Sequence, residues 1–449
     1  MKSIKYVDLF AGLGGIRLGL EQAAIEKGLS PECVFTSEIK TSAIKALKDN
    51  FNEEIIHGDI TTVSSRDIPD FDILLAGFPC QAFSVAGKQK GFLDTRGTLF
   101  FEVERILREK NPYGFILENV EGLVTHDRED VERPIGRTLE TILHTLEKKL
   151  KYKVSWGLLN AKDFGLAQSR NRVYIVGTRS QEISLAGFDK RQAVFSEVME
   201  SGLDTIDNTF TKLLFDKYKP EELYGKAIKD KRGGIDNIHS WDVEIKGHVT
   251  EKEKQLLNTL LKERRKKHWA KDIGIDWMDG MPLTTEQIRS FFDDENLEEM
   301  LDDLTEKGYL VLEHPKRREE IVDTTTGRTA YERVTDASKP RGYNIVSGKL
   351  SFDFSRILSP DSITPTLVAM DMATLGVVDG NGIRHLSLRE GLRLFGYPEN
   401  YTLDDFSITQ KGVDLAYDLL GNTVCVPVIK DIAVRLLDAF VEDNDGQAK

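Results

Sequence analysis

A cysteine at the end of a short apolar segment is the first residue whose placement suggests chemistry. Cys80 follows Gly77, Phe78 and Pro79, which come directly after the strand-like run 71–76. A glycine and a proline end a strand and restrict the backbone that follows it. Because the thiolate of cysteine is a strong nucleophile, a cysteine held in this way is placed to attack a substrate.

A glycine-rich turn is the second candidate site. The segment 11–15 follows the apolar run 5–10, so its backbone can approach a ligand closely, and the helix N-terminus after it favours an electronegative group. Taken alone, such a turn is equally an ordinary strand-to-helix connection. Glu38 and Asp59 follow the next two predicted strands, where carboxylates hold ribose hydroxyls or an adenine amino group. The pattern favours a nucleoside cofactor but lacks the full G-x-G-x-x-G of dinucleotide enzymes.

The first 180 residues alternate short apolar segments with helical patterns. Strands are predicted at 5–10, 33–35, 55–56, 73–76, 114–117, 152–158 and 172–177, and helices at 16–24, 42–49, 99–110 and 138–150. This alternation predicts an α/β fold with a mostly parallel, doubly wound sheet. The ligand crevice of such a sheet lies at the carboxyl ends of its strands, and the candidate residues stand at those ends.

From residue 181 to 355 the pattern becomes irregular and more highly charged, which predicts a second, smaller α+β domain. A capping box opens a helix at Thr284, and an amphipathic helix over 297–304 precedes a strand-like run over 309–312. Two helices and a hairpin over 284–335 resemble a winged helix. An ordinary α+β insertion is the alternative.

Cysteine use and hydropathy predict an intracellular, cytoplasmic protein with no membrane anchor. The three cysteines Cys33, Cys80 and Cys425 form no C-x-x-C pair, which argues against a disulfide framework and a zinc cluster, so no metal is expected. The basic start is followed by charged residues rather than by a signal-peptide core, and no run is long and apolar enough to span a bilayer.

The net charge of −13 at first disfavours a nucleic-acid partner, because phosphate neutralisation needs lysine and arginine. Charge is unevenly distributed, however. A basic run (262–271) carries six lysines and arginines, whereas an acidic run (293–306) carries only acidic charges. This asymmetry allows one basic face on an acidic body, and the alternative is that both runs are solvated helix faces.

Five different short motifs follow one another along the chain. They are Phe10-Ala11-Gly12-Leu13-Gly14-Gly15, Pro79-Cys80-Gln81, Glu118-Asn119-Val120, Gln168-Ser169-Arg170-Asn171-Arg172 and Gly421-Asn422-Thr423-Val424. In order and spacing the chain resembles the DNA (cytosine-5) methyltransferases of bacterial restriction–modification systems, over nearly all of 1–180 and 355–440. The resemblance implies a class I methyltransferase with a Rossmann-like sheet, S-adenosyl-L-methionine as cofactor and C5 of cytosine as methyl acceptor.

The resemblance also implies a discontinuous catalytic domain. Because the last motif lies near the C-terminus, the tail must return to the first strands. The expected division is 1–180 with 415–449 for cofactor binding and catalysis, 181–355 for target recognition, and 356–414 as a connecting segment.

The candidate residues suit this chemistry. Cytosine C5 is a poor nucleophile, so an enzyme first adds a nucleophile at C6, a role for Cys80, whereas the other two cysteines fit buried, inert thiols. Addition moves charge towards N3 and O2, which need a proton donor and a cation. Glu118, at the end of an apolar strand, can bond N3. Arg172, with Arg170 beside it, resembles the arginine that contacts O2; structural ion pairing is the alternative, more so for Arg170.

For the cofactor, the resemblance implies contacts from several motifs. They are Phe10, Gly12, Leu13 and Gly15 at the methionine and purine, Glu38 and Ile39 at the ribose and adenine, Asp59 and Ile60 at the adenine, Gly77 and Pro79 close by, and Asn422 and Val424 near the methionine end. Ile39 departs from the family, where many relatives place an aromatic residue, so Ile60 should supply most of the apolar contact. Phe10 could equally be a core residue.

The target base must be rotated out of the duplex before Cys80 can reach it. The segment 84–96 has the small and basic residues of a loop that could close over DNA, and the irregular domain would read base edges. The residues expected to contact double-stranded DNA are Gln81, Ser84, Lys88, Arg96 and Gln168. We expect a monomer, paired functionally with a restriction endonuclease.

Three other classes of protein are alternatives to a DNA (cytosine-5) methyltransferase. A zinc deaminase would need cysteine in place of Phe83 and an H-x-E segment, which is missing. A transfer-RNA cytosine-5 methyltransferase of the same fold is closer, but the long insertion between Arg172 and Arg356 favours duplex DNA. A non-catalytic DNA-binding relative is disfavoured because Cys80, Glu118 and Arg172 are all present.

Overall fold

The chain divides into two compact units in a computed structural model. The model describes residues 2–51, 55–78, 99–128, 132–230, 237–322, 329–346 and 352–446. The first unit comprises 1–200, 359–373 and 386–449, and the second comprises 201–358 and 374–385.

The described strands and helices follow one another along both units. The strands are β1 Ser3–Leu9, β2 Ser30–Ser37, β3 Ile73–Ala76, β4 Gly114–Val120, β5 Lys153–Asn160, β6 Asn171–Thr178, β7 Ala227–Ile228, β8 Asn237–Ile238, β9 Leu310–Glu313, β10 Lys316–Val322, β11 Thr329–Thr335, β12 Gly342–Ile345, β13 Arg356–Ile357, β14 Leu375–Asp379 and β15 Gly382–His385. The helices are α1 Gly15–Glu26, α2 Thr41–Asn50, α3 Leu99–Lys110, α4 Arg137–His144, α5 Thr209–Lys217, α6 Glu251–Glu263, α7 His268–Asp272, α8 Thr285–Arg289, α9 Leu297–Glu306, α10 Ala369–Met372, α11 Leu388–Leu394, α12 Gln410–Asn422 and α13 Val426–Gly446.

The first unit is built on a six-stranded sheet with the order β2-β1-β3-β4-β6-β5. Strand β1 is parallel to β2 and β3, and β3 is parallel to β4, whereas β6 is antiparallel to both of its neighbours. The predicted α/β class and mostly parallel sheet are confirmed. The predicted strand at 55–56 is wrong: only a single bridge between Ser37 and His57 forms there, and Ile55 is exposed.

Helix α13 returns the C-terminal part of the chain to the start of the first unit. It packs on α1, and Gly19 of α1 allows the two helices to approach closely, since a Cβ at that position would lie 2.6 Å from Cβ of Ile429. The apolar residues of β1, β3 and β4 are buried almost completely. The sheet is therefore a rigid base for the residues that follow its strands.

The boundaries between the units differ from the predicted ones in two places. Residues 181–200 remain with the first unit because Phe195 donates a backbone hydrogen bond to the carbonyl of Ser362. Residues 374–385, predicted within the connecting segment, belong to the second unit because β14 pairs with β13 and β15. Long-range pairings of this kind leave no local mark in the sequence.

The second unit contains a five-stranded sheet, β15-β14-β13-β7-β8, and two antiparallel pairs, β9 with β12 and β10 with β11. Thr284 caps α8 and forms the predicted capping box with Gln287. The predicted amphipathic helix is α9, whose apolar residues are buried. No described helix meets the length and hydropathy needed to cross a membrane, and the described residues contain no cluster of three His, Cys, Asp or Glu side chains that could hold a metal.

One glycine tests the packing of the sheet that carries the candidate residues. Gly177 of β6 lies opposite Phe115 of β4, and a Cβ there would lie 2.3 Å from the phenyl ring. We expect Gly177→Ala to lower the free energy of unfolding by about 1–3 kcal/mol, as overpacking of a core does. Gly58→Ala is the matched control, because a Cβ at that position meets no atom within 4 Å. Urea denaturation of both variants would contradict this packing if their midpoints were equal.

Candidate active site

The register of the central strands brings the candidate residues together. Leu9 lies beside both Ser37 and Ala76, and Ala76 lies beside Leu117. β1, β2 and β3 therefore end in one row, and β4 runs on from Leu117 to Val120 beside it. The residue that follows this row in each of the four strands is a candidate. These residues are Phe10, Glu38, Gly77 and Glu118. The predicted crevice at the carboxyl edge of the sheet thus has its residues side by side.

The glycine turn after β1 has an unusual backbone. Phe10, Gly12 and Gly14 have φ values of +56°, +55° and +71°. Such values are rare for a bulky residue such as phenylalanine and often mark functional sites. A Cβ at Gly12 would meet no atom within 4 Å, so the backbone borders open space. Phe10 is partly buried and packs against the hydrophobic core. Part of its side chain is therefore a core contact, which was the alternative to a cofactor contact.

Glu38 holds this turn in place. Its carboxylate accepts hydrogen bonds of 2.8 Å from the backbone N–H groups of Gly12, Ile39 and Lys40. The turn after β1 and the start of α2 are therefore tied to one side chain. Ile39 is 73% exposed, which is unusual for isoleucine and leaves an apolar surface beside the carboxylate.

The side chains of Asp59 and Ile60 point in different directions, one to solvent and one into the core. Asp59 is exposed, and its side chain accepts a hydrogen bond of 2.9 Å from the backbone N–H of Thr61. The side chain of Ile60 is 2% exposed and belongs to the hydrophobic core. The predicted apolar contact from Ile60 is therefore corrected: Ile39 is the residue of this region that presents an apolar side chain to solvent.

The C-terminal motif packs against the glycine turn. A Cβ at Gly15 would lie 2.7 Å from both the Val424 side chain and the Tyr397 hydroxyl, so only glycine permits this approach. Val424 and Leu13 are buried. Asn422 is exposed, and its side-chain amide donates to the carbonyl of Asp418 at 2.7 Å.

Glu118 and Arg172 form an ion pair at the end of β4. Arg172 lies opposite Val120, so it is on the same face of the sheet as Glu118 and diagonal to it. Its Nε lies 3.0 Å from the Glu118 carboxylate, and both side chains are largely buried. Burial raises the pKa of Glu118 above its usual value, and the positive charge of Arg172 partly opposes this rise.

Arg170 has a structural role. Its guanidinium is buried and donates to the carbonyls of Leu367, Gly421 and Thr423 at 2.7, 3.0 and 2.9 Å. Every one of these acceptors is backbone, so the prediction that Arg170 acts on substrate is corrected. Arg170 instead fixes the end of α12, where Asn422 lies.

Gln168 is also corrected. The side chain is completely buried, and its amide donates to the carbonyl of Leu394 at 3.0 Å and accepts from the backbone N–H of Leu367 at 3.2 Å. A side chain whose donor and acceptor are both used inside the protein is not available to DNA. Gln168 therefore joins two loops of the first unit.

Asn119 is a positioning residue that the sequence analysis missed. It is 3% exposed, and its side-chain amide donates to the carbonyl of Phe78 at 3.1 Å. Its side-chain oxygen accepts from the N–H of Val120. Asn119 thus ties the end of β4 to the residue two positions before Cys80. The signal available in the sequence was a polar amide inside an otherwise apolar strand.

Several predicted residues lie outside the described part of the chain. They are Pro79, Cys80, Gln81, Ser84, Lys88 and Arg96, with the predicted loop 84–96. Of the other cysteines, Cys33 is half-buried and Cys425 is buried. Burial raises the pKa of the Cys425 thiol to about 11, so this thiol stays protonated and unreactive at neutral pH.

The strand order of the sheet, the glycine turn after β1 and the carboxyl of Glu118 in β4 together define an α/β protein of the class I methyltransferase type. The sequence matches the C-5 cytosine-specific DNA methylase family over residues 4–438, and the chain belongs to that family. It is therefore an enzyme of the DNA (cytosine-5) methyltransferase class, as the five motifs predicted.

The comparisons with individual proteins agree. The chain is 58% identical to the type II methyltransferase M.NlaIV of Neisseria lactamica and 57% identical to M.NgoBV of Neisseria gonorrhoeae, in each case over 97% of this chain and 99% of the relative. It is 40% identical to M.BanI of Aneurinibacillus aneurinilyticus over 99% and 98%. The solved structure of the Entamoeba histolytica methyltransferase EhMeth shares the fold, with a TM-score of 0.51 and 16% identity over 98% of this chain and 99% of that one.

The Glu118–Arg172 pair predicts that removing Arg172 lowers the free energy of unfolding by an amount that depends on pH. Without Arg172, only the charge of Arg170 opposes the effect of burial, so the pKa of Glu118 rises further. A carboxyl whose folded pKa lies above its unfolded value contributes stability at low pH, and that contribution is lost as the pH rises. We expect Arg172→Gln to cost roughly 3–5 kcal/mol of unfolding free energy near neutral pH, where the lone carboxyl must ionise, and clearly less below its unfolded pKa.

Urea denaturation across this pH range measures the effect. The double variant Glu118→Gln with Arg172→Gln is the control, because it leaves no buried charge to ionise. A cost of Arg172→Gln that is the same at every pH would show that the pair does not set the pKa of Glu118.

Proposed function

We propose that this enzyme transfers a methyl group from S-adenosyl-L-methionine to C5 of a cytosine rotated out of duplex DNA. The observation that carries the proposal is the row of strand ends, where the glycine turn, Gly77 and Glu118 are neighbours. Gly77 is three residues before Cys80, so this row places the start of the cysteine motif between a nucleoside-binding turn and an acid. Cofactor, nucleophile and proton donor are needed together for this reaction.

The residues at the end of β1 and β2 fit the cofactor. Open space beside Gly12 accommodates a ligand against the backbone, the Glu38 carboxylate is oriented for ribose hydroxyls, and exposed Ile39 offers an apolar surface to a purine. Asp59 is exposed and can accept from the adenine amino group. When bound, S-adenosylmethionine supplies an electrophilic methyl group.

Cys80 is proposed as the nucleophile that adds to C6 of the base. Its sulfur forms a bond to C6, and the electron pair of the C5–C6 double bond moves into the ring so that C5 can take the methyl group. Loss of the C5 proton then restores the double bond and releases the thiolate. Support comes from Asn119, which fixes the carbonyl of Phe78 and so constrains the approach to the cysteine.

Glu118 is proposed to bond N3 and Arg172 to contact O2. The raised pKa of Glu118 favours its protonated form, which can donate to N3 as electron density arrives there. Arg172 holds the Glu118 side chain and brings a positive charge to the same place. The two residues together would stabilise the charge that the addition develops.

The second unit is proposed to recognise the target sequence, with its part 284–335 in a winged helix. The relatives of similar length are named type II methyltransferases, which supports a partner restriction endonuclease. The enzyme is proposed to act as a monomer. The transfer-RNA alternative is the weaker one, because these relatives match the chain along nearly its full length. Methyl transfer from labelled cofactor to duplex DNA or to transfer RNA separates the two substrates.

Removal of the proposed nucleophile should abolish turnover. We expect Cys80→Ala to lower methyl transfer to DNA at least about a thousandfold while DNA binding persists, since the thiol serves only the chemical step. Cys33→Ala is the matched control and should retain turnover. Filter binding of tritiated methyl groups on plasmid DNA measures both variants, and appreciable turnover by Cys80→Ala would refute the assignment.

The proton donor should affect catalysis rather than cofactor affinity. Glu118→Gln removes the transferable proton but keeps the shape of the side chain, so we expect kcat to fall by about 100-fold or more with little change in the Kd for S-adenosylmethionine. Single-turnover kinetics and calorimetric titration of the cofactor give the two quantities. Equal losses in both would assign Glu118 a structural role.

A further inference from the structure

The structure separates the basic run into interior and exposed residues. Arg264 is buried and donates to the side chain of Asn344 at 2.6 Å. Arg265 and Lys266 each pair with a nearby carboxylate. Lys267 is exposed and has no salt bridge within the described residues; its ammonium lies over the ring of Trp277, 5.9 Å from the centroid. Arg264 is therefore structural, and the charges of Arg265 and Lys266 are already paired at the surface.

A second set of cations lies on one face of the β10–β11 hairpin. Arg318 pairs directly with Arg333, and Tyr331 lies on the same face two residues before Arg333, opposite the exposed Glu320. The guanidinium of Arg318 is 3.7 Å from the centroid of the Tyr331 ring, and all three side chains are exposed. Like charges directly opposite each other destabilise a strand pair. Neither arginine has a salt bridge to a described residue, so an anion between them would relieve the repulsion.

The two sets of cations are continuous. The guanidinium of Arg333 donates to the carbonyl of Trp277 at 3.2 Å, and the Trp277 ring is 38% exposed. We name the five residues from Lys267 to Arg333 that meet in this way the cationic strip. It consists of Lys267, Trp277, Arg318, Tyr331 and Arg333. Positively charged side chains interleaved with exposed aromatic rings are typical of surfaces that bind nucleic acids.

Other surfaces of this region lack that property. On the opposite face of the hairpin Arg317 is paired with Glu319 at 2.9 Å, and Glu319 lies opposite Glu332. On the solvent side of α9, Glu298 is paired with Arg289 and Asp303 with Lys307. The helix itself carries five acidic residues and no basic one. They are Glu298, Glu299, Asp302, Asp303 and Glu306. Both surfaces would repel phosphate groups.

The order of elements in this part of the second unit resembles that of a winged helix. Four helices, α6 to α9, are followed by β9, the hairpin and β12, and Leu283 bridges to Tyr343 of β12. In helix-turn-helix proteins the second helix of the motif enters the major groove. Here that helix is α9, whose acidic surface opposes such docking.

We propose that the second unit binds the phosphate backbone of duplex DNA through the cationic strip, with α9 facing away from the DNA. This proposal rests on the proposed function and extends it by naming the surface. The hairpin acts as the wing of a winged helix, and its paired arginines hold phosphate oxygens while Tyr331 and Trp277 contact the sugar and bases. The acidic helix excludes the alternative orientation.

Salt-dependent binding tests the strip. The probe is a fluorescein-labelled duplex of random sequence, about three helical turns long, titrated without cofactor. We expect the double variant Arg318→Gln with Arg333→Gln to bind at least about tenfold more weakly, and the slope of log K against log salt to flatten by about 1–2. Arg317→Gln, on the paired face of the same strand, is the matched control and should match the wild type in both.

Two further measurements keep the outcome clear. The Tm of the double variant should change by no more than about 2 °C, because both side chains are exposed. Glu298→Gln with Glu299→Gln should leave the affinity within about twofold of wild type, whereas an α9 that faced the duplex would bind clearly more tightly once two like charges were removed.

The strip is overturned if the double arginine variant keeps the affinity and slope of the wild type, or if Arg317→Gln loses as much. Binding that tightens strongly in the glutamate variant also overturns it. The proposed function fails differently: the wild-type enzyme would then transfer no methyl group to DNA, whatever the arginine variants do.

Discussion

The parallel pairing of β1 with β2 and β3, and of β3 with β4, is the constraint on which the rest of the site depends. Because β1, β2 and β3 end in one row and β4 runs on beside them, residues distant in the sequence become neighbours. A shift of β4 by one residue would turn Glu118 to the other face of the sheet. The antiparallel strand β6 then completes the site by placing Arg172 diagonal to Glu118.

A second constraint is the return of the C-terminal part of the chain. Gly15 and Gly19 let this part approach α1. Arg170 donates to the carbonyl of Leu367 and to those of Gly421 and Thr423, on either side of Asn422. Buried hydrogen bonds from a charged donor are costly to break, so the end of α12 is held in one position. The discontinuous first unit is thereby closed around the glycine turn, with Val424 packed against it.

Much of this was predictable from sequence, since periodicity gives strands and their ends, and motif order gives the family. What failed was the direction of individual side chains. Gln168 and Arg170 lie in one of the five motifs and Ile60 follows Asp59, yet all three side chains point into the protein. Local spacing does not record which partners tertiary packing supplies. Unit boundaries at 200 and 374 depend on long-range pairing and were missed for the same reason.

The most direct measurement of the central claim is the identity of the atom that bonds to the base. A duplex synthesised with 5-fluorocytosine cannot lose its C5 substituent as a proton, so the addition product persists after methyl transfer. Mass spectrometry of the digested complex should find the nucleotide, carrying one added methyl group, on the peptide that contains Cys80. A nucleotide attached to Cys33 or Cys425, or no covalent product in an enzyme preparation that methylates ordinary DNA, would contradict the account.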